Sequence, residues 1–189
     1  SIWRSFQTSG KKHLVLTGAS GSGKTTLLAS LFSSPMPGVT SWVIPEKGVY
    51  LKNNCSKETI QIGRFHPDPT HKRNQMLAIP ENFDEKGTAF LYSCLHTTSE
   101  WITIDEIGFL ESNSCKYRQA IRTLMKHKQL LMVVRKQKLP FFEDRLTIKD
   151  VFFVDLVHHM EMQAVSSWHP VRVPALVETS CLLISMDNH

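Results

Sequence analysis

Lys24, Thr25 and the glycines just before them have the types and spacing to hold a phosphate chain. The stretch Gly18-Ala19-Ser20-Gly21-Ser22-Gly23-Lys24-Thr25 satisfies G-x-x-x-x-G-K-[ST] at every fixed position. Glycines let backbone N–H groups turn inward around a phosphate, and a following helix start adds free N–H groups and the positive end of its dipole. Lys24 reaches the outer phosphates in such a loop, and the Thr25 hydroxyl holds Mg²⁺. With Thr26 beside it, the loop is the expected nucleotide cradle.

A second constellation is Asp105-Glu106, which ends the apolar run Trp101-Ile102-Thr103-Ile104. In phosphate-loop enzymes a carboxylate at the end of a neighbouring buried strand holds the metal, the role expected of Asp105. Glu106, one residue on, is placed to orient and deprotonate an attacking water, which favours hydrolysis. Arg135, with Lys136 and Lys138, follows the apolar run Leu130 to Val134 and is a candidate γ-phosphate sensor; Arg145 is a second.

These residues need a scaffold of a particular kind. His13-Leu14-Val15-Leu16-Thr17 reads as a buried strand before the loop, and Thr26 to Phe32 as a helix after it. Thr40 to Ile44, Val49 to Leu51 and Thr59 to Phe65 read as an antiparallel meander inserted after the first helix, with turns at 46–48 and 53–54. His66 to Asn74 is a loop broken by Pro67 and Pro69; His66 and His71 have no metal-ligand spacing. Asn82 to His96 reads as a helix with Gly87 a weak point inside it. Cys115 to Met125 reads as an amphipathic helix, with Tyr117, Ile121, Leu124 and Met125 inward and Lys116, Arg118 and Arg122 toward water. Val151 to Val154 is the last core strand. Residues 1–11 are either a short packing helix or no part of the fold, and the sequence does not choose.

Length and composition set the bounds. At 189 residues, the expectation is one domain over 1–189, with its core at about 12–157 and a C-terminal appendage from about 158. A formal charge of +5 suits a protein that handles triphosphates and does not by itself argue for nucleic acid. None of the four cysteines forms a C-x-x-C pair, no apolar run reaches membrane-span length and no signal peptide is visible, so a cytoplasmic setting is expected. His158 and His159 are adjacent and so point apart on a regular element; Met160, Met162, Trp168 and Leu182 to Met186 read as apolar cover for a sheet edge.

The loop with Thr26 and Leu27, followed by Asp105-Glu106-Ile107-Gly108-Phe109-Leu110-Glu111, resembles the THEP1-type nucleoside-triphosphatases over about residues 12 to 157. That resemblance implies a three-layer, RecA-like phosphate-loop fold with an additional strand in its mostly parallel sheet. It also implies slow Mg²⁺-dependent hydrolysis of ATP, GTP and other triphosphates to diphosphates. Carried over by position, Lys24 and Thr25 serve the phosphates and metal, Asp105 the metal and Glu106 the water; Glu111 matches the family's second glutamate. Two departures stand out. Phe109 occupies a position where the family has Lys, and the family's late Asn-Arg pair has no counterpart near Asp155 to His159.

Two other readings compete with the triphosphatase. A nucleoside or small-molecule kinase would use the same loop, but it needs an acceptor site and an Arg-rich lid. A slow nucleotide-binding switch would act through an unidentified protein partner, and a partner-stimulated rate would mark it.

Overall fold

His13–Gly18 forms β1, and all six of its residues are buried. A strand covered on both faces has no polar side to show, so Leu14, Val15 and Leu16 follow one another without alternation. The computed structural model describes residues 2–18, 22–31, 36–66, 75–107, 114–135 and 149–156. The side chains of Thr25, Ala29, Gln75, Glu106, Ile107 and Arg135 lie outside that description, as do Arg145 and the tail from 157 onward.

Seven further strands join β1 among the described residues: β2 (Gly38–Ile44), β3 (Gly48–Asn53), β4 (Thr59–His66), β5 (Gln75–Ala78), β6 (Trp101–Ile107), β7 (Gln129–Arg135) and β8 (Val151–Leu156). They form one mixed sheet in the order β5-β4-β3-β2-β6-β7-β1-β8. The pairings β2–β6, β6–β7, β7–β1 and β1–β8 are parallel, and those joining β2 through β5 are antiparallel. The strand carrying Asp105 is therefore not the immediate neighbour of the phosphate-loop strand. β7, whose Leu130 to Val134 are fully buried, separates them as the additional strand that the family resemblance implies.

The meander is present and continuous with the parallel sheet, because Gly38, Val39 and Thr40 of β2 pair with Thr103, Ile104 and Asp105 of β6. Gly38 makes that junction possible. Its φ is 137°, and a Cβ there would lie 1.8 Å from the Thr103 carbonyl oxygen. β5, which extends the meander by pairing with β4, is not evident from the sequence; four residues give too short a pattern.

Helices cover both faces. On one side, α1 (Ile2–Ser9) and α2 (Lys24–Leu31) pack Phe6, Leu27, Leu28 and Leu31 on Leu14, Leu16, Leu131 and Val133. Phe6 is buried against Trp3, Trp101 and Phe152 at ring separations of 5.4 to 6.0 Å, so the N-terminal segment is a packing helix. On the other side, the expected helix begins earlier, at Pro80. It runs as α3 (Pro80–Asn82), a π turn (Phe83–Gly87), α4 (Thr88–Ser93) and a 3₁₀ turn (Cys94–His96). The Gly87 position is explained by its neighbour: a Cβ there would touch the Tyr117 ring at 3.2 Å. Tyr117 belongs to α5 (Cys115–His127), whose inward stripe of Tyr117, Ile121, Leu124 and Met125 is buried as its spacing predicts. Ser114 caps α5 by accepting from the Tyr117 N–H at 3.2 Å and donates its own hydroxyl proton to Asp84 of the π turn. Cys94 is a core residue, and burial pushes its thiol up to about 11.

Candidate functional site

The site is assembled at the C-terminal ends of the parallel strands. Gly18 ends β1 with φ 149°, and a Cβ on it would lie 2.5 Å from the Leu156 carbonyl oxygen of β8 and 2.8 Å from Ser22 Oγ. Only glycine lets β8 and the loop close in from both sides. Gly23, with φ 84°, turns the chain into α2, and its carbonyl accepts the Leu27 N–H at 2.8 Å. Lys24 is the first residue of that helix. Its Nζ donates to the Gly18 carbonyl at 3.1 Å and to Ser22 Oγ at 3.4 Å. The ammonium thus lies between the start and the end of the loop, joining β1 to α2. Ala19, Ser20 and Gly21 lie outside the described residues, and Thr26 is exposed on α2.

Asp105 sits on β6 with 8% of its surface exposed. Ile104 pairs with Met132 and Ile107 with Val134, so Asp105 and Glu106 together stand opposite Val133 alone. That is a bulge, one extra residue in β6 at the tandem carboxylates. Bulges break the strict alternation of faces and recur beside active sites. A strand-period reading of Asp105-Glu106 cannot foresee it. With β7 between them, β6 and β1 are about 10 Å apart.

A polar seam holds the carboxylate strand to β2. Thr40 lies in register with Asp105. The Thr40 hydroxyl donates to Asn54 Oδ1 at 2.9 Å, and Asn54 Nδ2 donates to Thr103 Oγ1 at 3.4 Å. Ser41 Oγ donates to the Asp105 carbonyl oxygen at 3.3 Å. Sequence reasoning passed over these residues because they sit in a stretch read only as meander. It also passed over Thr17, whose buried hydroxyl oxygen has no hydrogen-bond partner among the described residues. The signal for Thr17 was legible: it is the one hydroxyl in an apolar strand, directly before the loop.

Arg135 is the last residue of β7 and pairs with Gly18. The structure therefore brings the Arg135 backbone beside the phosphate-loop strand and the two carboxylates one strand further on. Gly108, Phe109, Glu111, Lys136, Lys138 and Arg145 lie outside the described residues.

The donor chemistry suits a hard cation. Among the described residues no group of three or more His, Cys, Asp or Glu could enclose a metal. Mg²⁺ asks for no such cage: it is commonly held by one or two carboxylates, with phosphate oxygens and waters completing the shell. One nearly buried carboxylate at a strand end meets that requirement.

The family model described as NTPase matches residues 13–161. The chain belongs to the NTPase family. It is accordingly a nucleoside-triphosphatase, and its phosphate loop and carboxylate strand both fall inside the matched span. Among solved structures, THEP1 from the hyperthermophile Aquifex aeolicus is similar with a TM-score of 0.60, covering 77% of this chain and 90% of that one. At 18% identity that likeness speaks to the fold. No curated protein matches. No described helix of this nucleoside-triphosphatase is long and apolar enough to cross a membrane.

Proposed function

We propose that this nucleoside-triphosphatase hydrolyses nucleoside 5′-triphosphates, ATP and GTP among them, to the diphosphate and phosphate, with Mg²⁺ and with Glu106 as the base for water. The observation that carries the reading is the order of the strand ends: carboxylates on β6, Arg135 on β7, and the glycine loop on β1.

The loop and the N-terminal turn of α2 bind the β- and γ-phosphates through backbone N–H groups. The Lys24 ammonium, hydrogen-bonded to Gly18 and Ser22 in this structure, transfers part of its donation to the phosphate oxygens. Asp105 and the Thr25 hydroxyl would hold Mg²⁺, which when bound would draw charge from the phosphate oxygens. Glu106 accepts a proton from the attacking water and fixes its line of approach. Arg135 offers positive charge as the γ-phosphate separates. On this reading one domain has its core at about residues 12–157, and the protein sits in the cytoplasm.

The test is phosphate release from ATP and GTP with Mg²⁺, for the wild type and for Glu106→Gln. The expected result is turnover without any acceptor or partner, and a variant that still binds nucleotide but hydrolyses it slower by a factor of about a hundred or more. Nucleotide binding with no phosphate release by the wild type sinks the proposal and redirects attention to a phosphoryl acceptor or a stimulating partner.

A further inference from the structure

On the outer side of the α4–α5 layer is an open cleft of about 530 Å³. Thr88 and Tyr92 of α4 and Lys116, Arg118, Gln119 and Arg122 of α5 line it, together with the exposed thiol of Cys115. Its chemistry is lopsided: three cationic side chains converge there, and no lining residue is acidic.

The amphipathic pattern of α5 predicts Arg118 and Arg122 in open water, where two arginines need no explanation. They are half-buried instead. The Nε atoms of both are shielded from solvent and have no hydrogen-bond partner among the described residues. Arg118 donates through its terminal nitrogen to Cys115 Sγ at 3.3 Å, a weak acceptor. Among the described residues no carboxylate forms an ion pair with either guanidinium.

A shielded N–H without an acceptor is destabilising, and a partly desolvated cation without a countercharge adds to that. Residues four apart on a helix carry their Cβ atoms about 6 Å from each other. Two guanidinium forks at that spacing match two linked phosphate groups better than one point charge. Gln119 and the Tyr92 hydroxyl supply further donors at the rim. The free volume falls in the range of small-ligand sites.

We propose that this cleft is a second anion site, separate from the phosphate loop, that binds a compact polyphosphate group, such as pyrophosphate or the diphosphate of a nucleotide, through Arg118 and Arg122. The proposal does not depend on which triphosphate the enzyme hydrolyses.

Cys115 supplies the reporter. Iodoacetamide labelling of Cys115 is followed by mass spectrometry on the whole chain, with pyrophosphate titrated in the absence of Mg²⁺ and ionic strength held constant. The exposed Cys55 is the internal control. An anion seated beside Cys115 covers the thiol and disfavours its thiolate, so labelling is expected to slow about fivefold or more while Cys55 is unchanged. Protection persists in Lys24→Ala, which weakens the phosphate loop. It is lost in Arg118→Gln/Arg122→Gln, and the single change Arg122→Gln serves if the double variant melts early by circular dichroism. The proposal is overturned if Cys115 is not protected, if the arginine variants are protected as well as the wild type, or if protection disappears in Lys24→Ala. Equal protection by citrate overturns the assignment to phosphate.

Discussion

Gly18, the last residue of β1, lies in register with Arg135, the last residue of β7. The strand that separates the phosphate loop from the carboxylates therefore ends in a cationic residue whose backbone is one strand spacing, about 5 Å, from that of the loop's first glycine. In the proposed mechanism its charge serves the phosphate that leaves and not the base or ribose. Arg135→Gln is expected to lower kcat by about tenfold to a hundredfold and to leave the dissociation constant of the diphosphate product close to that of the wild type. Steady-state rates and product titration check this, and an unchanged kcat removes Arg135 from the mechanism.

Asp105 is nearly buried, and its main chain is tied to β2 by register with Thr40 and by the Ser41 hydroxyl on its carbonyl oxygen. A fixed backbone lowers the ordering cost of binding a cation there. Asp105→Asn keeps the shape and loses the charge. It is expected to raise the Mg²⁺ concentration for half-maximal activity by about tenfold or more, and chelation of Mg²⁺ is expected to abolish turnover of the wild type. Activity that survives chelation counts against a metal at this site.

Some of this was legible in the residues and some was not, for physical reasons. β1 and β7 sit in the sheet's interior, so their unbroken apolar runs are strong signals, and the inward stripe of α5 repeats with the helical period. The neighbourhood of Asp105 was not legible. Nothing in Trp101 to Ile104 says that a strand later in the chain inserts between it and β1, because parallel crossovers let sequence order and spatial order differ. The bulge at Asp105-Glu106 depends on register with Val133, which no local pattern encodes. Gly87 looked like a weak helix residue, yet it is where the Tyr117 ring of a different helix presses. The half-burial of Arg118 and Arg122 likewise depends on α4 lying alongside, a fact about packing rather than about period.

Gly38 offers a test of how tightly the meander is joined to the parallel sheet. A methyl group there would lie 1.8 Å from the Thr103 carbonyl oxygen, on a backbone with φ 137°. Both the strand pairing and the backbone would have to give. Gly38→Ala is expected to destabilise the fold by about 3 kcal/mol or more, read as a lower denaturant midpoint. Since Thr40 and Asp105 are two residues along the same pairing, a surviving variant should also need more Mg²⁺. A variant as stable as the wild type means that β2 is not anchored at Gly38.

His13 gives the fold a pH dependence that can be tested away from the site. Its ring is buried between β1 and β7, where Nδ1 accepts the Leu130 N–H at 3.1 Å and the Met125 backbone is a further hydrogen-bond partner. Burial, reinforced by the neighbouring Lys12 charge, pushes its pKa down to about 4, against the smaller opposing effects of Asp150 and the Met125 hydrogen bond. The unfolded chain takes up a proton near its ordinary value of 6.5. Below that pH the unfolded state binds more protons than the folded one, so stability rises with pH in this window. The contribution is complete above pH 6.5 and is lost progressively as the pH falls toward 4, amounting to about 3 kcal/mol over the whole window. His13→Gln cannot titrate. The wild type is expected to lose stability more steeply than this variant between pH 7 and pH 5, with denaturant unfolding as the measurement. Parallel slopes for the two proteins would show that His13 does not stay neutral in the folded state.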